Sequence, residues 1–301
     1  MKTSKSPNDI AVVAYVTAQR ALPAYRHIKS PKKFTQHQLV AILVLKEFFT
    51  TDYRGMVELL KDSSDLRKIL ELRYGVPHYT TLQKAAQRLT KKNTLDKLLL
   101  KEILAVAVET KILKKNVGLS ALDGTGFESR HISTYFVKRK AKGQGSIYQM
   151  TTYTRYPKVG IVSDCATHLV LAGVPSRGPY PDSVHYEKAV REAEKNIHTN
   201  VLTADAGYDS EKAHIVAREH YGIRTIIPPR IGRPTNQLPK GKYRKIMATR
   251  FNKKLYGQRW QAETVNSMVK RNLGSALRAR TYWSQCRELM LRLLVHNVMI
   301  V

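Results

Sequence analysis

Two short apolar runs, residues 117–123 and 201–205, each end in an aspartate and meet a glycine within two further residues. A run of five to seven apolar residues closed by turn formers reads as a buried strand rather than as a helix. A strand with no polar face must be covered on both sides, so it needs neighbouring strands and helices above and below them. Between the two runs, residues 158–163 and 168–174 have the texture of a hairpin turned at 164–167. Asp182-Ser183 then opens a helix to about residue 196. After the second run, Asp209-Ser210 opens another helix to about 220, and 223–227 is a further strand.

The order is therefore strand, hairpin pair, helix, strand, helix, strand. A basic segment, 228–254, follows, and helical composition returns at 256–273 and 284–298. That order predicts an α/β fold: a ribonuclease-H-like mixed sheet flanked by helices. The part before it reads differently. Residues 1–34 are interrupted by Pro7, Pro23 and Pro31 and are expected to form a peripheral arm. Residues 35–115 carry helical spacing throughout, giving an N-terminal all-helical domain, and 116–301 form the α/β domain. Within 35–115 a Gly75-Val76-Pro77 turn precedes a short helix for which Thr80 is a suitable N-cap, an order that suits a helix-turn-helix as well as an ordinary bundle. A long amphipathic helix over 95–111 closes the region.

The chain carries 52 Lys+Arg against 23 Asp+Glu, a formal charge of +29, while 43% hydrophobic residues are enough for a core. Such an excess opposes compaction and calls for an anionic partner, nucleic acid first and an anionic membrane second. The membrane reading weakens because the longest apolar run, 39–45, is far below the ~20 residues a spanning helix needs. No leader pattern opens the chain. Cys165 and Cys286 have no metal-type spacing and point to a reducing compartment, hence a cytoplasmic protein associated with the nucleoid.

Acid placement is the sharpest chemical signal. Between Glu219 and Glu288 the sole acid is Glu263, among sixteen Lys or Arg. Taken alone, Glu263 is an ion-pair partner for Arg259 four residues earlier, a contact contributing at most ~1 kcal/mol. Asp123 and Asp205 change that balance, because each stands at the C-terminal end of its strand, where α/β sheets place ligand sites. A Glu on a helix packed beside them completes a set of hard oxygen donors suited to divalent cations. Phosphodiester cleavage uses two such ions about 4 Å apart. The neighbouring acids have simpler roles: Asp164 in the hairpin turn, Asp182 and Asp209 as helix caps, and Glu128 in a solvated loop. Glu128 and Asp209 could also support the site from behind.

These residues resemble a known family. Asp123-Gly124-Thr125 after a strand, and Asp205-Ala206-Gly207-Tyr208-Asp209-Ser210, are similar to the first two catalytic blocks of DDE transposases of bacterial and archaeal insertion elements. Tyr256, Arg259, Glu263 and Lys270 match that family's Tyr-x2-Arg-x3-Glu-x6-Lys signature at every spacing. They are expected on one helix, where steps of three, four and seven put all four on one face. The resemblance covers roughly residues 36–297. It implies a ribonuclease-H-like core, two Mg²⁺ ions (Mn²⁺ as a substitute), a homodimer acting on element ends, and strand transfer into target DNA. It further implies Asp123, Asp205 and Glu263 as catalytic metal ligands, with Tyr256, Arg259 and Lys270 contacting phosphates or terminal nucleotides. Some relatives carry a large β-domain with a Trp before the Glu helix. Here 228–254 is short and lacks Trp, as in the compact insertion-element group.

The basic stretches fit double-stranded DNA as partner. Residues 228–254 hold nine Lys or Arg and no acid, broken by Pro229, Pro234 and Pro239. That composition predicts a phosphate-tracking strap, with Arg230, Arg233, Lys242, Arg244 and Lys245 as its contacts. Residues 130–158 interleave seven bases with Tyr135, Tyr148, Tyr153 and Tyr156, which suits backbone contact plus stacking. The predicted function is a DNA transposase performing Mg²⁺-dependent cleavage and strand transfer. Two alternatives are a metal-dependent nuclease or resolvase on the same fold, and an inactive DNA-binding protein.

Overall fold

The computed structural model describes residues 3–91, 95–131, 133–140, 148–230 and 237–301. The helical region opens with α1 (Pro7–Ala21), capped by Ser6, whose hydroxyl accepts the Asp9 backbone N–H. Helix α2 (Gln36–Phe48) starts with a reciprocal capping box between Thr35 and Gln38. Asp52 caps α3 (Tyr53–Asp62), and α4 (Ser64–Ile69) follows at once. Helix α5 (Tyr79–Leu89) is capped by His78, two residues before the Thr80 expected in that role. A π-helical turn, Leu95–Leu100, continues into α6 (Lys101–Glu109).

Within the peripheral arm expected over 1–34, helix α1 is packed into the core instead. Ile10, Ala11, Ala14 and Ala18 of α1 are almost fully buried, and they belong to the same apolar cluster as most of α2. The three prolines lie outside the helix interior, so the apolar face between Pro7 and Pro23 is free to find a neighbour.

The sheet begins with β1 (Ser120–Gly126), followed by the two-residue β2 (Glu128–Ser129), β3 (Ser133–Lys140), the seventeen-residue β4 (Tyr148–Asp164) and β5 (Val170–Gly178). A 3₁₀ turn over Asp182–His185 leads into α7 (Tyr186–Asn196). Then come β6 (Val201–Ala204), α8 (Glu211–Ile215) and β7 (Arg224–Ile226). The chain finishes with α9 (Lys242–Thr249), α10 (Lys253–Gly257), α11 (Trp260–Leu273), β8 (Ala276–Leu277) and α12 (Tyr282–Ile300).

Strand β1 is the centre. It pairs antiparallel with β4 and parallel with β6, and β6 pairs parallel with β7, while β5 lines the far side of β4. The core order β5-β4-β1-β6-β7, with one antiparallel strand beside the first, is the ribonuclease-H-like sheet that the element order predicts. Helix α7 covers one face through Tyr186, Ala189, Val190 and Ala193. On the other face α11 and α12 share a continuous cluster with Val159, Ile161 and the N-terminal helices, so those helices do not close a core of their own. The N-terminal half of β4 leaves this sheet and pairs with β3 as a two-stranded arm, from Lys140↔Tyr148 to Ser133↔Arg155. Among the described residues no helix is long and apolar enough to cross a membrane.

Candidate active site

Strand and helix periods together build the site. Side chains of β1 alternate between faces, so Ala121 and Asp123 look the same way and Leu122 the other. Leu122 enters the cluster under α7, whereas Ala121 meets Ala262 of α11. Two residues along a strand span about 6.7 Å, and four along a helix about 6 Å. Asp123 accordingly meets Asn266, whose Nδ2 donates to Asp123 Oδ2 at 2.9 Å. Asn266 is buried and its Oδ1 is without a hydrogen-bond partner.

Asp205 follows β6 directly. Leu122 is in register with Ala204, the last pair of that ladder, so Asp205 leaves β6 at the same end of the sheet as Asp123, near enough for its charge to act on that carboxyl. Asp205 Oδ1 accepts the Gly207 N–H at 2.7 Å and turns the chain away from the sheet. Glu263, in the first turn of α11, is exposed and accepts from Arg259 Nη2 at 2.6 Å. Asp123, Thr125, Glu263, Asn266, Lys270 and Arg271 line one cleft of about 460 Å³.

The charges in this cleft feel one another. Burial pushes the Asp123 carboxyl up to about 6, the Gly124 N–H and Arg259 oppose that, and Asp205 and Glu263 add to it. Burial likewise raises the Tyr208 phenol, and Asp182, Asp123 and Asp205 raise it further. Asp182 is thus a fourth acid near the site. A Cβ on Gly124 would lie 2.6 Å from Asp182 Oδ2, so this carboxylate rests on the backbone beside Asp123, held by Lys158 Nζ at 2.7 Å. It makes no cap to the helix it precedes, contrary to its expected role. Local spacing carries no sign of this. Asn266 does leave one, as an amide three residues after Glu263 on the buried side of the same helix.

Other expectations change as well. Tyr256, Arg259, Glu263 and Lys270 do not share one continuous helix: α10 ends at Gly257 and α11 begins at Trp260. Tyr256 stands in α10 against Phe251, with ring centroids 5.1 Å apart, while Lys270 lies 5.3 Å from the centre of the Phe127 ring and reaches the cleft. The basic segment is not an open strap over 242–249, which is helix α9. Glu211 accepts the Tyr243 and Arg244 N–H groups at its start, and Glu219 accepts the Tyr243 hydroxyl. Asp209 does not cap α8, a task that falls to Ser210. Its fully buried carboxylate instead takes the Arg230 N–H at 2.7 Å and pairs with Arg244 at 2.7 Å. Arg244 is therefore committed to an internal partner, while Arg230, Lys242 and Lys245 are exposed. Arg233 lies outside the described residues.

A divalent ion is the group this cleft suits by donor chemistry. The Asp123 and Glu263 carboxylates and the unpaired Asn266 amide oxygen line it as hard donors, Asp205 adds its charge nearby, and the repulsion these acids exert at Asp123 is relieved by a cation. The arrangement is not drawn to coordination distance, however: among the described residues no group of three or more His, Cys, Asp or Glu side chains could hold a metal ion, and Glu263 is turned to Arg259.

A family model described as "Transposase DDE domain" matches residues 118–298, more than half of the chain. No curated protein sequence matches. Among solved structures, the piggyBac transposase synaptic complex with hairpin DNA is similar at 12% identity and TM-score 0.43, over 98% of this chain and 72% of that one. The Mos1 transposase paired-end complex with left transposon end is similar at 10% identity and TM-score 0.24, over 83% and 82% of the two chains. DDE transposases use divalent metal ions, the group that the acids at the ends of β1 and β6 and on α11 suit by their donor chemistry; this chain belongs to the transposase DDE-domain family.

Proposed function

We propose that the chain is a transposase of the compact insertion-element type, working on its own element's ends in the cytoplasm as a homodimer on DNA. Asp123, Asp205 and Glu263 are its catalytic residues. They would hold two Mg²⁺ ions, for which Mn²⁺ can stand in. When bound, such ions activate an attacking oxygen and stabilise the leaving one at a phosphodiester. The first attack, by water, leaves a 3′-hydroxyl on the element end. The second, by that hydroxyl on a target phosphodiester, joins the strands and frees a target 3′-hydroxyl.

The chain's own groups orient and neutralise. Asn266 fixes Asp123 with one lone pair toward the amide and leaves its other oxygen for the ion. Arg259 now serves as the countercharge of Glu263, and on the DNA complex its guanidinium would pass to a phosphate, which it matches in shape. Lys270 and Tyr256 would contact phosphates or terminal nucleotides, and Arg230, Arg233, Lys242 and Lys245 the flanking backbone. Residues 35–115 would serve as a helical DNA-binding unit leaning on the catalytic domain.

The observation that carries the reading is that Asp123 and Glu263 line one cleft, with the Asp123 carboxyl raised by burial and further by the nearby charges of Asp205 and Glu263. Its test is Glu263→Gln, assayed on a supercoiled plasmid carrying the gene with its flanking DNA. Cleavage and joining in Mg²⁺ should disappear while binding survives, with stability changed by less than ~1 kcal/mol because the Arg259 pair is exposed. Near-normal cleavage would reduce Glu263 to a surface ion-pair partner. Cleavage without joining by the unmodified protein would identify a nuclease instead.

A further inference from the structure

A second cleft, about 500 Å³, opens where the β3–β4 arm leaves the main sheet. Four arginines from separate parts of the chain line it. Arg155 sits where β4 changes partner, pairing with Ser133 just before Tyr156 pairs with Gly178 of β5. Arg177 comes from the end of β5, opposite Pro157. Arg130 follows β2 and Arg280 follows β8, and these two short strands lie side by side in a parallel ladder, Ser129↔Leu277. Buried Gln285 ties the two ends together, donating to Ser129 Oγ at 2.9 Å and to the Ala279 carbonyl at 3.2 Å.

Two of the guanidiniums are held on aromatic rings without being neutralised. Arg177 lies over the Tyr282 ring at 4.0 Å and Arg155 over the Tyr135 ring at 5.0 Å. No carboxylate lines the cleft, and among the described residues none of the four arginines is paired with an acid. Gathering four cations around one cavity is unfavourable unless an anion completes it. Arginine forks match phosphate oxygens in pairs, and aromatic seats leave their N–H edges free for that contact.

Position identifies the anion. Asp123 pairs with Ile161 on β4, and Arg155 is six residues back along that strand, about 20 Å away. That is about six base pairs at ~3.4 Å each, so one duplex can lie across both clefts. We propose that the Arg130–Arg155–Arg177–Arg280 cleft grips the backbone phosphates of the same duplex whose bond is cut in the acid cleft. Identifying that duplex rests on the transposase reading; the cleft itself does not.

The test combines Arg177→Gln with Arg280→Gln in the full chain and measures binding to a 30-base-pair duplex in metal-free buffer across a range of salt. Each phosphate deprived of its arginine lowers the slope of log affinity against log salt by about 0.9, so the pair should lower it by about 1.8. The corresponding Arg→Lys pair keeps the charge and should restore most of the slope, which an unfolded protein could not do. An unchanged slope in the Gln variant would overturn the proposal. So would a defect confined to capture of a second, unlinked duplex by a preformed complex, because that would assign the cleft to target DNA. Since only binding is read here, a parent that shows this salt dependence but neither cleaves nor joins in the plasmid assay would sink the transposase reading and leave the cleft standing.

Discussion

Replacing Asp123 with Asn removes a charge that the fold holds unfavourably. The ordinary carboxyl value of 3.8 rises to about 6 in the folded protein. An acid whose folded value is raised binds its proton more tightly when folded, so stability falls as pH climbs from the unfolded value to the folded one. At 1.36 kcal/mol per pH unit this penalty is about 0.5 kcal/mol at pH 4, about 1.5 at pH 5 and about 3 above pH 7. Asp123→Asn cannot ionise and keeps an oxygen for the Asn266 amide. Relative to the parent it should therefore gain about 2–2.5 kcal/mol of stability between pH 4 and pH 7.5. For 301 residues, with an unfolding entropy of about 2.1 cal/mol/K each, 3 kcal/mol corresponds to a midpoint shift of about 5 °C. Thermal or urea unfolding of both proteins across that pH range reads the difference directly. Mg²⁺ should then stabilise the parent and not the variant, narrowing the gap at pH 7.5. A stability difference that stays flat with pH would refute the reasoning, because it would place Asp123 in an ordinary solvated environment.

Two further perturbations probe the surroundings of the site. Arg244→Ala leaves the fully buried Asp209 carboxylate without its guanidinium and should cost about 3–5 kcal/mol in unfolding experiments. Lys242→Ala with Lys245→Ala should stay within about 0.5 kcal/mol per site while lowering the DNA-binding salt slope by about 0.9 per contact, so comparing the three separates an internal tie from phosphate contacts. Gly124→Ala drives a methyl into the Asp182 carboxylate and must break its pair with Lys158 or shift β1, so a drop of about 1–3 kcal/mol in stability and weaker cleavage are expected. An unaffected Gly124→Ala protein would mean that Asp182 does not rest where it is described.

What can be read from the chain is what depends on local periods. The apolar runs before Asp123 and Asp205 specify strands by themselves, and the order of strands and helices admits few sheets. The Arg259–Glu263–Lys270 spacing puts an acid between two bases on one helical stretch, whatever lies around it. Long-range partners are decided elsewhere. Residues 242–249 look like loop because their neighbourhood is proline-rich and basic, yet Asp209, Glu211 and Glu219, more than twenty residues earlier, supply the anions that cap and tie a helix there. Asp182 and Asp209 have the composition of helix caps, and only the folded sheet shows one resting on Gly124 and the other buried against Arg244. The first helix reads as an arm because its apolar face has no meaning until α2 lies beside it. Arg130, Arg155, Arg177 and Arg280 are scattered over 150 residues and carry no motif; register across β2–β8 and β4–β5 makes them one cleft. A carboxylate or guanidinium declares its charge in the sequence, but whether that charge meets solvent, an internal partner or DNA depends on which distant surface the core brings against it.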